Sequence, residues 1–115
     1  MSTDLASVDR SATIAEAATV MGERGIGSVL VIEAGRVTGI FTERDALRAL
    51  ASHFDAAHHP IETWMTIDPM GIDAETDIRE ARELMLRHGF RHLPVTDGGS
   101  LVGIVSIRDL SRAEA

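Results

Sequence analysis

The sequence contains no cysteine and no lysine, and no hydrophobic run in it is long enough to cross a bilayer. Without cysteine, a disulfide framework, a thiol nucleophile and a thiolate metal site are all excluded. The longest apolar run is Val29–Ile32, far shorter than the roughly 20 residues that a membrane helix needs. The polar N-terminus shows no signal-peptide pattern. We therefore expect a cytoplasmic protein without membrane segments.

The balance of charges is acidic, with a formal net charge of −7 over 115 residues. A nucleic-acid binder needs a basic face for its phosphate contacts, so we expect no nucleic-acid partner. Because every basic residue is an arginine, any phosphate site would have planar donors that can form bidentate hydrogen bonds. Hydrophobic residues make up 44% of the chain, which is enough for one compact domain with a substantial core.

One pattern occurs twice, at an offset of 64 residues. Gly39–Asp45 reads GIFTERD and Gly103–Asp109 reads GIVSIRD. Each copy resembles an apolar strand that runs into a helix, with the hydroxyl of Thr42 or Ser106 as the N-cap and an aspartate in the first turn. Helix capping alone explains this spacing. An arginine next to the aspartate in both copies also suits a phosphorylated sugar, with arginine and helix N–H groups on phosphate and the aspartate on the ribose diol.

The repeat extends over most of the chain. Aligned without a gap, residues 14–45 and 78–109 are identical at 11 of 32 positions. In each copy a capped amphipathic helix ends at a glycine, and two strands joined by a glycine turn lead into a second helix. The periodicity places Ile14 and Ile78 on the buried faces of their helices. The predicted order is therefore extended segment, helix, strand, strand, helix, twice.

We assign residues 1–52 to the first motif, 53–64 to a linker and 65–115 to the second motif. Two copies are too few for a solenoid. We therefore predict an α/β (α+β) fold in which two motifs, related by a pseudo-twofold axis, pack their sheets together and carry their helices outside.

With these features the chain resembles a tandem pair of CBS (cystathionine-β-synthase) motifs, a Bateman module. The resemblance covers nearly the whole chain and rests on the two copies above, on Trp64-Met65-Thr66 and on Arg91–Val95, which reads RHLPV. It implies a regulatory module and not an enzyme, without a required cofactor. The implied ligand contains adenosine: AMP, ATP, S-adenosylmethionine or an NAD-like dinucleotide. The implied partners are a second copy, bound through helices, and a regulated enzyme or transporter.

The resemblance also implies which residues bind the ligand. The aspartate of each repeated stretch would hold the ribose hydroxyls, and the hydroxyl residue three positions earlier would contact sugar or phosphate. The backbone after the Met-Thr pair would meet the adenine edge. The predicted ligand-binding residues are Gly27, Ser28, Thr42, Arg44, Asp45, Thr66, Ile67, Arg91, His92, Leu93, Pro94, Ser106, Arg108 and Asp109.

The two copies differ where the first strand of each begins. The first copy has Gly27-Ser28 and the second has Arg91-His92. Arg91 and His92 either contact a phosphate group, or His92 only forms a hydrogen bond with the backbone. We assign the lead-in Trp64-Met65-Thr66 to the second copy, and we therefore expect one cleft to dominate, with about one nucleotide per chain. Pro94 cannot donate to a sheet ladder, which predicts a position at a sheet edge or facing a pocket.

Several histidines and an aspartate lie in the linker. They are His53, Asp55, His58 and His59. These residue types suit transition metals, but we interpret the stretch as a solvated linker, because no regular element preorganises it, and we expect Trp64 to pack against it. No general acid–base pair is evident. Two other functions stay open: a ligand-free interaction module in which Asp45 and Asp109 only cap helices, and a metal-dependent hydrolase that uses the linker histidines.

Overall fold

Over the described residues, the helices and strands form in the order that the repeat predicts. The predicted last helix, after Ser106, is not among the described elements, because most of its residues lie outside the described ranges. The computed structural model describes residues 5–69, 71–98, 100–107 and 109. The helices are α1 (Ile14–Arg24), α2 (Glu43–Ser52) and α3 (Ile78–His88). The strands are β1 (Ser28–Glu33), β2 (Arg36–Thr42), β3 (Thr66–Ile67), β4 (Ile72–Asp73), β5 (His92–Asp97) and β6 (Ser100–Ser106). Two 3-10 turns, Ala56–His58 and Ile61–Thr63, lie between α2 and β3. None of the described helices is long and apolar enough to span a membrane.

The helix ends follow the capping side chains and glycines of the sequence. The Thr13 hydroxyl accepts the Glu16 N–H at 3.1 Å and the Glu16 carboxylate accepts the Thr13 N–H, so a capping box begins α1. Gly25 and Gly89 follow α1 and α3 with φ of 63° and 72°. Glycine adopts this left-handed conformation without the steric cost of a Cβ atom. The predicted α+β class is confirmed.

Residues 6–69 form the first of two compact units. The β1–β2 hairpin turns at Ala34-Gly35, both of which have positive φ, as a tight right-twisted hairpin requires. The strand order in the sheet is β1-β2-β3, and β3 is antiparallel to β2. Helix and strand side chains form the core, which includes Ala17, Val29, Val31, Phe41 and Ala49.

β3 comes from the lead-in that we assigned to the second copy, but the structure pairs it with the first. Thr66 lies opposite Ile40, and Ile67 lies opposite Gly39. The preceding Met65 is buried against Gly39, where an added Cβ atom would lie 2.5 Å from the Met65 sulfur. The lead-in therefore completes the sheet of the first unit, and the contact requires glycine on β2.

The segment 53–64 is ordered and contributes to the core, contrary to the solvated linker that we expected. Ala56 and Ile61 are fully buried in the core that contains Ile14. The His59 carbonyl accepts the Ile14 N–H at 2.9 Å, and the Ala12 carbonyl accepts the Ile61 N–H at 2.8 Å. These contacts attach the segment to the N-terminal end of α1.

The second unit contains Leu5 and the described residues from 71 onward. The strand order in its sheet is β4-β5-β6, with β4 parallel and β6 antiparallel to β5. Its core is formed by Ile72, Ala81, Met85, Leu93, Val95 and Val105. Ile78 is 41% exposed, whereas the equivalent Ile14 is 2% exposed. The expectation that both isoleucines are buried is therefore wrong for the second copy.

Candidate functional site

The start of α2 carries the first group of predicted residues. Thr42 Oγ1 accepts the Asp45 N–H at 3.2 Å, and Asp45 Oδ2 accepts the Thr42 N–H at 3.0 Å. Asp45 Oδ1 also accepts a bond from Arg48 at 3.1 Å, and the Asp45 side chain is only 10% exposed. The carboxylate therefore caps the helix, while each of its oxygens keeps a further lone pair. Arg44, in the first turn, is exposed.

Gly27 and Ser28 lie at the same end of the first unit. Ser28 is opposite Thr42 in the β1–β2 ladder, and the Gly27 carbonyl accepts the Glu43 N–H at 3.0 Å. A Cβ atom on Gly27 would lie 3.5 Å from Glu43 Oε1. The structure thus adds a carboxylate that the sequence analysis missed. The position of Glu43 between Thr42 and Asp45 in the repeated stretch could have indicated that it lies at the site.

The backbone of β3 faces outward at Ile67. The Asp68 N–H donates to the Thr38 carbonyl at 2.9 Å, so the adjacent pair Gly39–Ile67 is of the non-hydrogen-bonded kind in this antiparallel ladder. The N–H and C=O of Ile67 therefore point away from β2, toward the outer edge of the sheet, where β3 is the last strand. A neighbouring amide donor and acceptor of this kind can hydrogen-bond the edge of a purine base.

Asp68 fixes the end of this strand. It has φ of 46°, a conformation that aspartate tolerates better than most residues. Its carboxylate lies 3.1 Å from the Arg36 guanidinium, which extends from the other end of β2. Asp68 thus attaches β3 to β2 through both backbone and side chain.

The second unit repeats the arrangement at the end of β6. Ser106 Oγ accepts the Asp109 N–H at 3.1 Å, and Asp109 Oδ2 accepts the Ser106 N–H at 3.0 Å. His92 lies opposite Ser106 in the ladder, and the Arg91 carbonyl accepts the Ile107 N–H at 2.9 Å. Arg91 is exposed and His92 is half-buried. Arg108, which we also predicted to bind ligand, lies outside the described residues.

Leu93 and Pro94 are buried in β5, the central strand of the second sheet. Pro94 therefore does not lie at a sheet edge. The Thr96 carbonyl accepts the Ala74 N–H at 2.6 Å and so faces β4. Backbone groups of alternate residues point to the same side of a strand, so the Pro94 nitrogen, which carries no hydrogen, also faces the β4 side. It lies one residue before the pairing of β4 with β5 begins. In the first copy Leu30 occupies this position, and its N–H donates to Ala6.

The predicted residues thus fall into two groups, one in each unit. The first contains Gly27, Ser28, Thr42, Arg44, Asp45, Thr66 and Ile67, and the second contains Arg91, His92, Leu93, Pro94, Ser106 and Asp109. Both groups combine a hydroxyl with a capping aspartate. The first group also contains β3, whose backbone faces outward at Ile67.

The linker histidines pack against one another and against Trp64. The rings of His53 and His59 are 5.2 Å apart, and Trp64 meets His53 edge-on at 5.6 Å, which confirms its predicted packing. His59 also lies 3.3 Å from Asp55. No three histidine or carboxylate side chains of the described residues come close enough together to hold a metal ion.

Comparison with known proteins identifies relatives of the whole repeat. A family model described as "CBS domain" matches residues 1–52 and 61–115. An uncharacterised 17.7 kDa protein of Acidianus ambivalens is 49% identical over 108 residues, which are 92% of this chain and 65% of that protein. The chain therefore spans slightly less than two thirds of this relative.

Solved structures share the fold at high similarity. The CBS-domain containing protein ATU1752 from Agrobacterium tumefaciens has a TM-score of 0.86 and 34% identity, covering 98% of this chain and 91% of that one. The CBS domain protein PAE2072 from Pyrobaculum aerophilum, complexed with AMP, has a TM-score of 0.77 and 31% identity. That match covers 96% of this chain and 92% of the other.

Proposed function

The chain belongs to the CBS-domain family, and from this premise we propose that it is a regulatory module that binds an adenosine-containing nucleotide. The AMP complex of the Pyrobaculum aerophilum protein supports this ligand class. The proposed role is regulatory and not catalytic. The nucleotide would favour one conformational state of the module, and a partner enzyme or transporter would respond to that state.

The observation that carries the proposal is the arrangement of Ile67, Thr42 and Asp45 within one unit. The Ile67 backbone would hydrogen-bond the adenine edge, and the hydroxyl and carboxylate at the start of α2 would bind the ribose. Thr42 follows Gly39, the partner of Ile67, by three residues, or about 10 Å along the strand. This separation suits a base at one end and a sugar at the other.

Arginines are the proposed phosphate ligands. Arg44 and Arg91 are both exposed, and His92 is half-buried next to Arg91. Charge-assisted hydrogen bonds from guanidinium groups are stronger than those between neutral groups. Because only the second copy has Arg91-His92, we keep the prediction of unequal sites and about one nucleotide per chain.

A second candidate function, a ligand-free interaction module, is favoured by the helix capping. Asp45 bonds Thr42 and Arg48, and Asp109 bonds Ser106. If these carboxylates only stabilise helices, the chain would bind partners without a nucleotide signal.

A thermal-shift panel with AMP, ATP, S-adenosylmethionine and NAD distinguishes the two functions. A nucleotide at 100 times its dissociation constant should stabilise the folded chain by about 2.7 kcal/mol. If none of the four shifts the melting temperature, the ligand-free module is the better description.

Ile67→Pro tests directly whether the Ile67 backbone binds the adenine base. Proline removes the outward N–H, and this N–H takes no part in the β2–β3 ladder. We expect nucleotide affinity to fall by about 1–3 kcal/mol, the cost of an unpaired buried partner, with the fold intact. Ile67→Ala keeps the N–H and serves as the control. Equal affinity of both variants by calorimetry would contradict the assignment of Ile67 to the base.

A further inference from the structure

The two copies carry different charges next to the start of β1 and of β5. In the first copy this place holds Gly27 and Glu43, and the equivalent residues of the second copy, 64 positions later, are Arg91 and Ile107. The hydroxyl, the arginine and the aspartate that surround Glu43 in the sequence have counterparts in the second copy. The exchange of glycine for arginine and of glutamate for isoleucine therefore makes the second place more positive by two unit charges.

In the first unit, the Glu43 carboxylate lies beside Gly27. Glu43 Oε1 is 3.5 Å from the position that a Cβ atom on Gly27 would take. The side chain of Glu43 is exposed, and it forms no hydrogen bond or ion pair with any residue in the described ranges. Arg44 is the next residue, but consecutive residues of a helix do not face each other. The Glu43 carboxylate is therefore accessible to a ligand and keeps its full negative charge.

In the second unit, the accessible charge at the equivalent place is positive. Arg91 is exposed, and its guanidinium pairs with no carboxylate in the part of the chain that the structure describes. Ile107, whose N–H donates to the Arg91 carbonyl at 2.9 Å, is half-buried and packs against the core. An accessible guanidinium next to an apolar side chain suits a phosphate group, because charge-assisted hydrogen bonds to phosphate are strong.

The N–H groups at the start of α2 do not offset the Glu43 carboxylate. The Gly27 carbonyl accepts the Glu43 N–H at 3.0 Å, and the Thr42 hydroxyl accepts the Asp45 N–H at 3.2 Å. Two of the first three N–H groups of α2 are thus used within the protein. A phosphate at this place would gain little from the helix and would meet the like charge of Glu43, which disfavours binding.

The order of the strands indicates which part of a ligand would reach Glu43. This step rests on the proposed function, in which the adenine base lies at Ile67 and the ribose at Thr42. The strand order is β1-β2-β3, so the base lies on the β3 side, the ribose at the end of β2 and Gly27 on the β1 side. Adjacent strands are about 4.8 Å apart. The substituent on the 5′ carbon of the ribose would therefore lie near Gly27 and Glu43.

We propose that Glu43 makes the first unit prefer an adenosine whose 5′ substituent is positively charged, as in S-adenosylmethionine, while Arg91 makes the second unit prefer phosphorylated nucleotides. The sulfonium sulfur of S-adenosylmethionine is bonded to the 5′ carbon, so its charge lies next to the ribose. The Glu43 carboxylate attracts a cation at this place and repels a phosphate. AMP then binds to the second unit, in agreement with about one nucleotide per chain.

The test compares S-adenosylmethionine with S-adenosylhomocysteine by calorimetry on the full chain. The two molecules differ by one methyl group on the sulfur and by the positive charge that it creates. We expect the parent chain to bind S-adenosylmethionine about fivefold more tightly, as for a partly exposed ion pair, and Glu43→Gln to remove this preference. Glu23→Gln removes the same charge from an exposed position of α1 and should retain the preference.

AMP gives the complementary measurement. Glu43→Gln should tighten AMP binding to the first unit, because the phosphate no longer meets a carboxylate. Arg91→Ala should weaken AMP binding to the second unit, and it should weaken binding of S-adenosylmethionine less. Circular dichroism checks that each variant is folded.

Three results would overturn the role of Glu43. They are equal binding of the two sulfur compounds by the parent chain, an unchanged preference in Glu43→Gln, and weaker AMP binding in Glu43→Gln. In each of these cases AMP still binds to the parent chain, so the proposed function stands without this inference. If neither AMP nor the sulfur compounds bind to the parent chain, the proposed function itself is wrong, and the inference falls with it.

Discussion

At the scale of single residues, the contact of Gly39 with Met65 determines how closely β2 and β3 approach. The sulfur and terminal methyl of Met65 occupy the space that a side chain on Gly39 would take, at 2.5 and 2.7 Å from the ideal Cβ position. Because Met65 is buried, it has little room to move. Gly22, in the interior of α1, has no atom within 4 Å of its ideal Cβ position.

Gly39→Ala and Gly22→Ala should therefore have opposite effects on stability. We expect Gly39→Ala to lower the free energy of unfolding by about 1–3 kcal/mol through overpacking. Gly22→Ala should raise it by about 0.5–1 kcal/mol through helix propensity. Urea denaturation measures both. A neutral Gly39→Ala would mean that Met65 repacks without cost.

A second residue-scale effect concerns Glu33. Its hydrogen bonds with Arg10, at 3.1 Å from Nε, and with the Thr38 hydroxyl, at 2.6 Å, lower the pKa of the Glu33 carboxyl. Because the pKa is lower in the folded state, the ionised Glu33 carboxylate stabilises the fold at pH values above the usual carboxyl pKa of about 4.3. This stabilisation is lost as the pH falls through the folded-state pKa. Both side chains are partly exposed, so the effect is modest and decreases with salt.

Glu33→Gln should accordingly make the stability of the fold depend less on pH in the acidic range. Thermal melting from pH 7 to pH 3 should show a smaller loss for the variant than for the parent chain below about pH 4.3. Glu23→Gln, at an exposed position of α1, is the matched control and should leave the curve unchanged.

At the scale of elements, the capping aspartates have two proposed roles that separate experimentally. Asp109→Ala should weaken nucleotide binding by about 1.5–3 kcal/mol if the carboxylate binds ribose. As a helix cap alone, it should cost about 0.5–2 kcal/mol of stability and leave affinity unchanged. Asp77→Ala is the matched control, since Asp77 caps α3 by accepting the Arg79 N–H at 2.9 Å and is outside the predicted site. Calorimetry on folded variants gives both quantities.

Segment 53–64 behaves as an element of the first unit, and Ile61 is its anchor. Ile61→Ala should lower the free energy of unfolding by about 2–5 kcal/mol, because it leaves a cavity in the core with Ile14. His58→Ala, at an exposed position of the same segment, should change it by less than about 0.5 kcal/mol. Urea denaturation with equal effects of the two variants would show that the segment is loosely held.

At the scale of the whole molecule, we predict a homodimer that forms through helices. α2 exposes Leu47 and Leu50 to 68% and 52%, and apolar residues at adjacent turns of one helix are suited to pairing with a second copy. Light scattering should give twice the chain mass at high micromolar concentration. Leu47→Glu should shift the equilibrium toward monomer, and a monomer in the parent chain would contradict the prediction.

The sequence by itself determined everything that depends on neighbours along the chain. The capping boxes at Thr13 and Thr42, the glycine ends of α1 and α3 and the two hairpins follow from local hydrogen bonds and backbone sterics. The repeat of Gly39–Asp45 indicated the family and brought the hydroxyl and carboxylate of each copy together. These features required only interactions over a few residues.

Only the tertiary structure decided which parts of the repeat belong together in space. The pairing of Ile67 with Gly39 depends on the path of segment 53–64, and that path is set by burial of Ala56 and Ile61 against α1. The same burial explains why Ile14 is buried and Ile78 is exposed, although the two residues occupy equivalent positions in the repeat. Sequence patterns record which residues prefer to be buried, but the partner that buries them is a long-range choice, made by the packing of the whole unit.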